Sequence, residues 1–359
     1  MRQEQLQNMV RPLLDWFEAN KRELPWRSDR QPYHVWISEI MLQQTRIEAV
    51  KKYYEIFMRE LPDVKSLSLI SEEKLLKLWE GLGYYSRAKN LKKAAKMIMQ
   101  DYGGTFPDSY QELLKLPGVG EYTAGAIASI CFNEKVTAVD GNVLRVMARI
   151  TGSRKNVLLP ETKKETDNLL RQIMPERSGM FNEALMELGE IVCLPNGTPD
   201  CEKCPVRSEC IAYKEELTAE LPVRIKKLKR KKQEKTVFLL VTDDNKTAIE
   251  KRPEKGLLSG MYQLPNTDGF CTEEEIKNIL KEWQLTFTEI SPIGEAKHAF
   301  THIDWYMKTY LVKVREENSR FLWVSPQELQ KEYPLPTAFR RCVTEQDYFP
   351  LKFNYAKNA

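Results

Sequence analysis

Through the first two hundred residues, apolar side chains return at every third or fourth position. Ile37, Ile40, Met41, Ile47, Val50, Tyr54 and Phe57 mark one such stripe from Ile37 through the following SEIMLQQTRIEAVKKYYEIF, which predicts helical structure there. SEEKLLKLWEGL, DGNVLRVMARI and NEALMELGEIVC repeat the pattern, and no convincing strand interrupts them. The pattern changes after a basic run. TVFLLVTDDNKTAIEKR reads as a β-branched strand, a polar turn and a second strand; TEEEIKNILKEW reads as a helix, and WYMKTYLVKV and FLWV as further strands. The expected architecture is an all-α domain over residues 1–215, a basic linker over 216–235 and a smaller α+β domain over 236–359.

Composition narrows the class. The chain of 359 residues is 42% apolar, enough for a core in each of two domains. No run approaches about 20 uninterrupted apolar residues, and MRQEQLQNMVRPLL lacks the apolar centre of a signal peptide, so a cytoplasmic protein without membrane association is expected. The net charge is only +4, but RIKKLKRKKQEK, residues 224–235, carries eight basic residues against one acid. That run suits a solvated linker and a phosphate-contacting one equally. Cys193, Cys201, Cys204 and Cys210 crowd together as C-x7-C-x2-C-x5-C. In a reducing compartment four such thiols point to one metal centre rather than disulfides, and the spacing leaves zinc and an iron–sulfur cluster both open. Lys203 and Arg207 lie inside this loop and would present positive charge outward.

Two further stretches carry candidate chemistry. In LPGVGEYTAGAIASI, residues 116–130, Pro117 ends a helical segment, and Gly118 and Gly120 permit a tight turn into the next helix. Unpaired amides at such a helix start suit a phosphate; glycines there also suit close helix packing, and the loop alone does not choose. Asp140 of AVDGNVLRV precedes another helix and is a natural N-cap, yet it would equally suit a positive charge developing on a bound sugar. Glu39 has Val35, Trp36, Leu42 and Gln43 as its helical neighbours, none a cation. Desolvated there, its carboxyl would carry a raised pKa, as a general acid at neutral pH requires; on a solvent-facing helix surface it would do nothing.

Taken together, LPGVGEYTAGAI, AVDGNVLRV and the four-cysteine loop resemble the helix–hairpin–helix DNA glycosylase superfamily. LPWR, SEIMLQQTR and GLGYYSRAKNL resemble one branch of it, the adenine DNA glycosylases of the MutY type. The resemblance implies a helical glycosylase domain with a hairpin near 110–132 and a cluster loop over 193–210, followed by a Nudix-like (MutT-like) domain. It implies a monomeric enzyme that removes adenine opposite 8-oxoguanine or guanine in double-stranded DNA. Carried onto this chain, Glu39 would protonate the adenine and later assist water, and Asp140 would stabilise the sugar cation, with Tyr122 and Asn142 in support. Gln44 and Tyr84 would wedge into the stack vacated by the flipped base, with Leu82 beside them. Arg22, Leu24, Trp26, Arg27 and Thr45 would contribute base and backbone contacts, Gly118 and Gly120 would meet phosphate, and Glu183 would touch the adenine edge. Strand-cutting members of the superfamily carry a lysine where this chain has Tyr122, which implies a glycosylase that leaves the abasic strand intact.

The chain also departs from that pattern. Seven residues, LPNGTPD, separate the first two cysteines where the family usually has six; an extra residue in a loop bulges at little cost, and a four-iron, four-sulfur cluster is still expected. TEEEIKNILKEWQL lacks the acid order of a Nudix box, so the C-terminal domain should bind rather than hydrolyse. Its HAFTHIDW resembles the loop that touches 8-oxoguanine, with Phe300, Thr301 and His302 at the contact and threonine where serine is more usual. Two other classes compete: a DNA-binding module without catalysis, and a nucleotide pyrophosphatase using the C-terminal domain. A desolvated carboxyl pair argues against the first, and the missing acidic box against the second.

Overall fold

The computed structural model describes residues 3–225, 230–340 and 342. The expected linker falls partly outside them, at 226–229. Among the described residues twelve α-helices precede any strand: α1 (Gln3–Asn20), α2 (Pro32–Leu42), α3 (Ile47–Glu60), α4 (Val64–Leu69), α5 (Glu72–Leu78), α6 (Ser86–Asp101), α7 (Tyr110–Leu113), α8 (Glu121–Phe132), α9 (Gly141–Thr151), α10 (Pro160–Gln172), α11 (Ser178–Ile191) and α12 (Ile211–Lys214). The stripe that predicted helix across residues 38–57 is broken between α2 and α3. Gln44 there takes a left-handed backbone (φ 58°), which ends one helix before Arg46 begins the next.

By packing, the chain forms two compact units: residues 1–69 with 89–227, and residues 70–88 with 228–359. In the first, α11 lies at the centre and packs against α1, α8 and α9, while α2 packs on α8 and α3. Glycines set the closest approaches. A Cβ on Gly125 would stand 2.0 Å from the Thr137 carbonyl oxygen, and one on Gly179 2.4 Å from that of Ser129. The apolar interior of α1, α9 and α11 runs on into the cysteine loop, where Val206 and Cys210 are buried with it.

The second unit is built on a mixed sheet with the order β3-β2-β1-β6-β5: β1 (Lys231–Thr242), β2 (Thr247–Lys251), β3 (Tyr262–Gln263), β4 (Asn266–Asp268), β5 (Phe287–Ala299), β6 (Ile303–Val314) and β7 (Leu322–Val324). β1 and β6 pair in parallel from Lys231 opposite Ile303 to Thr242 opposite Val314. Alternation along β1 sends Val237 and Leu239 to one face, with Trp305, Leu329 and Phe339, and Phe238 and Leu240 to the other, with Ile276 and Leu280. The second face is covered by α13 (Glu273–Glu282), while α14 (Pro326–Lys331) and α15 (Thr337–Arg340) supply residues to the first. Strand β5 escaped the sequence reading because it is a largely exposed partner of β6, and polar residues, Pro292 and Gly294 interrupt its apolar positions.

Candidate active site

Glu39 lies in the last turns of α2, buried at 8% exposure among Ile37, Ile40 and Met41. Its Oε2 accepts a 2.6 Å hydrogen bond from the Tyr122 hydroxyl, which projects from the first turn of α8. The same hydroxyl lies 3.1 Å from the Met186 sulfur on α11. Burial pushes the Glu39 carboxyl up to about 7, against the Tyr122 hydrogen bond, which favours the charged form; nearby Asp140 and Glu183 add to the rise. Burial also raises the Tyr122 phenol, so it remains a donor.

Asp140 is the N-cap of α9. Its Oδ1 accepts from the Val143 amide at 2.7 Å and its Oδ2 from Asn142 Nδ2 at 3.0 Å. Burial raises this carboxyl too, although the Val143 and Asn142 hydrogen bonds oppose it. The cap and the candidate ion therefore use one carboxylate. Asn142 is held from three sides: Nδ2 also donates to Glu190 at 2.9 Å, and Oδ1 accepts from Arg145 at 2.9 Å. Arg145, itself buried, continues to the Gly189 and Cys193 carbonyls at 2.8 Å each, so hydrogen bonds run unbroken from Asp140 to the cysteine loop.

A second network lies on α11. Glu187 accepts a bidentate pair from Arg22 (2.7 and 2.9 Å) and a 3.0 Å bond from Arg27, which also lies 3.3 Å from Glu183. Burial would raise the Glu187 carboxyl, but the Arg22 and Arg27 hydrogen bonds outweigh it and bring it down to about 2. Burial raises Glu183. Leu24 and Trp26 are buried beside Arg27, Trp26 edge-on against Tyr54. The sequence reading missed Glu187, Met186, Arg145, Arg149 and Glu190. A signal existed for Glu187: it and Glu183 are carboxylates four apart on an otherwise apolar helix face, which calls for buried cations.

The hairpin glycines divide their tasks. Gly118 has φ 80°, and a Cβ there would meet that of Asn90 at 2.7 Å, so this one serves backbone and packing. A Cβ on Gly120 would meet nothing within 4 Å, and no side chain of this residue caps the start of α8. Of the two residues expected as wedges, Gln44 (φ 58°) is exposed and Tyr84 (φ 47°) is 45% exposed, and both hold left-handed backbone that is uncommon outside glycine. Leu82 is buried, and the Thr45 hydroxyl lies 3.4 Å from the Gln43 carbonyl oxygen. In the second unit Phe300 closes the turn from β5 to β6 by donating its amide to the Ile303 carbonyl and stacks edge-on with Trp305. Thr301 and His302 are exposed at the tip, and the Thr301 hydroxyl lies 3.5 Å from that of Tyr84.

None of Cys131, Cys193, Cys201, Cys204, Cys210 and Cys271 forms a disulfide. Cys193, Cys201, Cys204 and Cys210 line one cavity with Val146, Ile150, Leu188 and Val206. Lys203 and Arg207 do not present unpaired charge, as their positions suggested: Lys203 pairs with Asp200 at 2.8 Å and Arg207 with Glu202. Arg149 is buried at 4% exposure beside this cavity, and its described hydrogen bonds go to the Leu221 and Leu194 carbonyls and, at 3.2 Å, to the Cys193 sulfur. Two buried guanidinium groups, Arg145 and Arg149, thus flank Cys193 and call for negative charge on the thiols.

The chain matches the class of base excision repair glycosylases: the HhH-GPD superfamily of base excision DNA repair proteins covers residues 37–176, and the NUDIX domain family covers 236–345. A solved complex described as a trapped endonuclease III–DNA covalent intermediate with an estranged adenine is 25% identical, with a TM-score of 0.52, over 60% of this chain and 99% of its own. Adenine DNA glycosylases of Arabidopsis thaliana and of Buchnera aphidicola from Acyrthosiphon pisum are 37% and 32% identical over 81% and 87% of this chain, matched over 55% and 90% of their own lengths. This chain belongs to the adenine DNA glycosylases. It spans about half the length of the plant relative and most of the bacterial one. No helix among the described residues is long and apolar enough to cross a membrane.

Proposed function

We propose that this chain hydrolyses the N-glycosidic bond of adenine mispaired with 8-oxoguanine or guanine in double-stranded DNA, acting as a monomer. The observation that carries the reading is the buried Glu39 carboxyl on the Tyr122 hydroxyl, with the capped Asp140 carboxylate close enough to raise its pKa. Adenine leaves poorly until its ring is protonated, and a carboxyl pushed up to about 7 can deliver that proton at neutral pH. Asp140, oriented by the Val143 amide and Asn142, supplies the anion that the sugar cation needs. Residues 1–215 hold this chemistry and residues 236–359 read the opposite base. Single-turnover cleavage of duplexes with adenine opposite 8-oxoguanine, guanine, cytosine and thymine tests the whole reading; no release of adenine from the first two would reject it.

Tyr122 has no amine with which to form an imine. Strand cuts should therefore appear only after alkali, and borohydride should trap no protein–DNA adduct. An adduct formed in step with turnover would reject the monofunctional assignment.

We assign to the four cysteines a four-iron, four-sulfur cluster: the four thiols border one cavity, and the buried Arg145 and Arg149 guanidinium groups flank Cys193. Cys193, Cys201, Cys204 and Cys210 would be the ligands. The cluster would supply a rigid, anionic anchor for the loop.

Thr301 stands exposed at the β5–β6 tip with one donor and two acceptor lone pairs, suited to the N7–H and O8 edge that separates 8-oxoguanine from guanine. Thr301→Val should lower the preference for 8-oxoguanine by about 1 kcal/mol, roughly fivefold, as the loss of one hydrogen bond. Both substrates must be compared at one salt concentration.

A further inference from the structure

Residues 70–88 lie inside the stretch matched by the glycosylase family, yet they pack with the C-terminal unit. The tie is a buried ionic cluster. Glu80, 3% exposed, follows α5; its Oε1 accepts the Leu335 amide at 2.8 Å and pairs with the Arg340 guanidinium, and its Oε2 pairs with Lys77 at 2.9 Å. Lys77 Nζ also donates to the Leu329 and Tyr333 carbonyls at 3.1 and 3.0 Å, and Arg340 Nε donates to the Leu335 carbonyl. Glu73 extends the contact outward, accepting from Lys251 at 3.0 Å and from the Tyr262 hydroxyl at 3.1 Å. So α5 and its following turn are bonded to the segment from α14 to α15 and to the β2–β3 pair.

The turn that Glu80 anchors carries Leu82 and Tyr84. Arg87 holds it from the other side, donating to the Leu82 and Gly83 carbonyls at 3.0 and 3.2 Å with its guanidinium over the Trp79 and Tyr84 rings. The Tyr84 hydroxyl then stands 3.5 Å from that of Thr301. Two elements expected to work at the mispair, one entering the stack that the adenine vacates and one testing the edge of the opposite base, thus belong to one bonded frame. A carboxylate buried between two cations and an amide tolerates little displacement, because any shift leaves charge uncompensated away from water.

We propose that Glu80 is a positioning residue for damage discrimination: with Arg340 and Lys77 it holds the Leu82–Tyr84 turn in register with the 300–302 tip, so that the wedge and the base reader act on the opposite base together. This rests on the proposed preference for 8-oxoguanine. The consequence is that discrimination depends on a cluster that contacts no base.

The test is single-turnover excision of adenine opposite 8-oxoguanine and opposite guanine, at one salt concentration, by the full chain and by Glu80→Gln and Arg340→Lys. Glu80→Gln should cut the ratio of the two rates by about fivefold or more, the usual lower scale of coupling between sites. Arg340→Lys keeps the buried positive charge but loses the fork, so it should fold even if Glu80→Gln does not and should shift the ratio in the same direction. A purely structural role would lower both rates together and leave the ratio unchanged. If the wild type prefers 8-oxoguanine and every variant that folds retains its ratio, the positioning role is overturned. A wild type that excises adenine without preference overturns instead the reading of residues 300–302 on which it rests.

Discussion

Glu39→Gln should lower single-turnover adenine excision by at least about 100-fold, the smaller end of what a positioned general acid contributes, while leaving binding to the mispair nearly unchanged. Gln can still accept the Tyr122 hydroxyl, so the change removes a proton donor rather than a packing group. Asp140→Asn should be comparably severe, because an amide still caps α9 through its oxygen but offers no charge to the sugar cation. Excision by the wild type should follow a bell. It falls as pH rises through about 7, where Glu39 ionises, and falls again on the acid side as Asp140 protonates, above the ordinary aspartate range because burial raises it.

Glu39→Gln should act on stability in the opposite sense to its effect on excision. The folded Glu39 carboxyl titrates near 7 instead of its ordinary 4.5, so between those values the folded state binds more protons than the unfolded state. Its contribution is fully present below about 4.5 and is lost as pH rises through about 7. The shift corresponds to roughly 3 kcal/mol. Glu39→Gln should therefore melt higher than wild type at pH 8, and the two should converge near pH 5. A variant with wild-type excision, or one whose melting temperature is lowered at pH 8, would remove Glu39 from the role of desolvated acid.

Cys204→Ser should abolish the broad visible absorption expected of thiolate-to-iron charge transfer and weaken DNA binding by an order of magnitude or more. The reason is mechanical as well as chemical. Residues 193–210 hold only short 3-10 turns, and their order comes from Val206 and Cys210 in the α1–α9–α11 interior and from the cavity that the thiols line. Without an anchoring centre, Arg145 and Arg149 keep their carbonyl partners but lose the negative charge they face, and Arg145 is one hydrogen bond from Asn142 and two from Asp140. Excision should therefore suffer beyond the loss of binding. Amide hydrogen exchange in 193–215 should quicken in the variant; a colourless wild type with stoichiometric zinc would overturn the iron assignment.

Local pattern was enough for much of this protein. Apolar period separated the helical half from the strand-bearing half, glycines marked the hairpin, and a carboxylate before an apolar stripe marked the cap at Asp140. Each depends on residues within a few positions of one another, which the sequence places together by itself. The break at Gln44, the edge strand β5 and the buried network of Glu187 with Arg22 and Arg27 were not legible. The first is a backbone angle that glutamine rarely takes, the second a strand whose polar side chains reflect exposure, and the third a pairing across more than 150 residues. Tertiary structure alone decided the raised Glu39 carboxyl. A glutamate on an amphipathic helix is ordinarily solvated, and only the packing of α8 against α2 removes the water, brings up the Tyr122 hydroxyl and leaves the group near 7. The same holds for Glu80. Its sequence context is an exposed turn after a short helix, and the Arg340 guanidinium and Leu335 amide that complete its partners lie far along the chain.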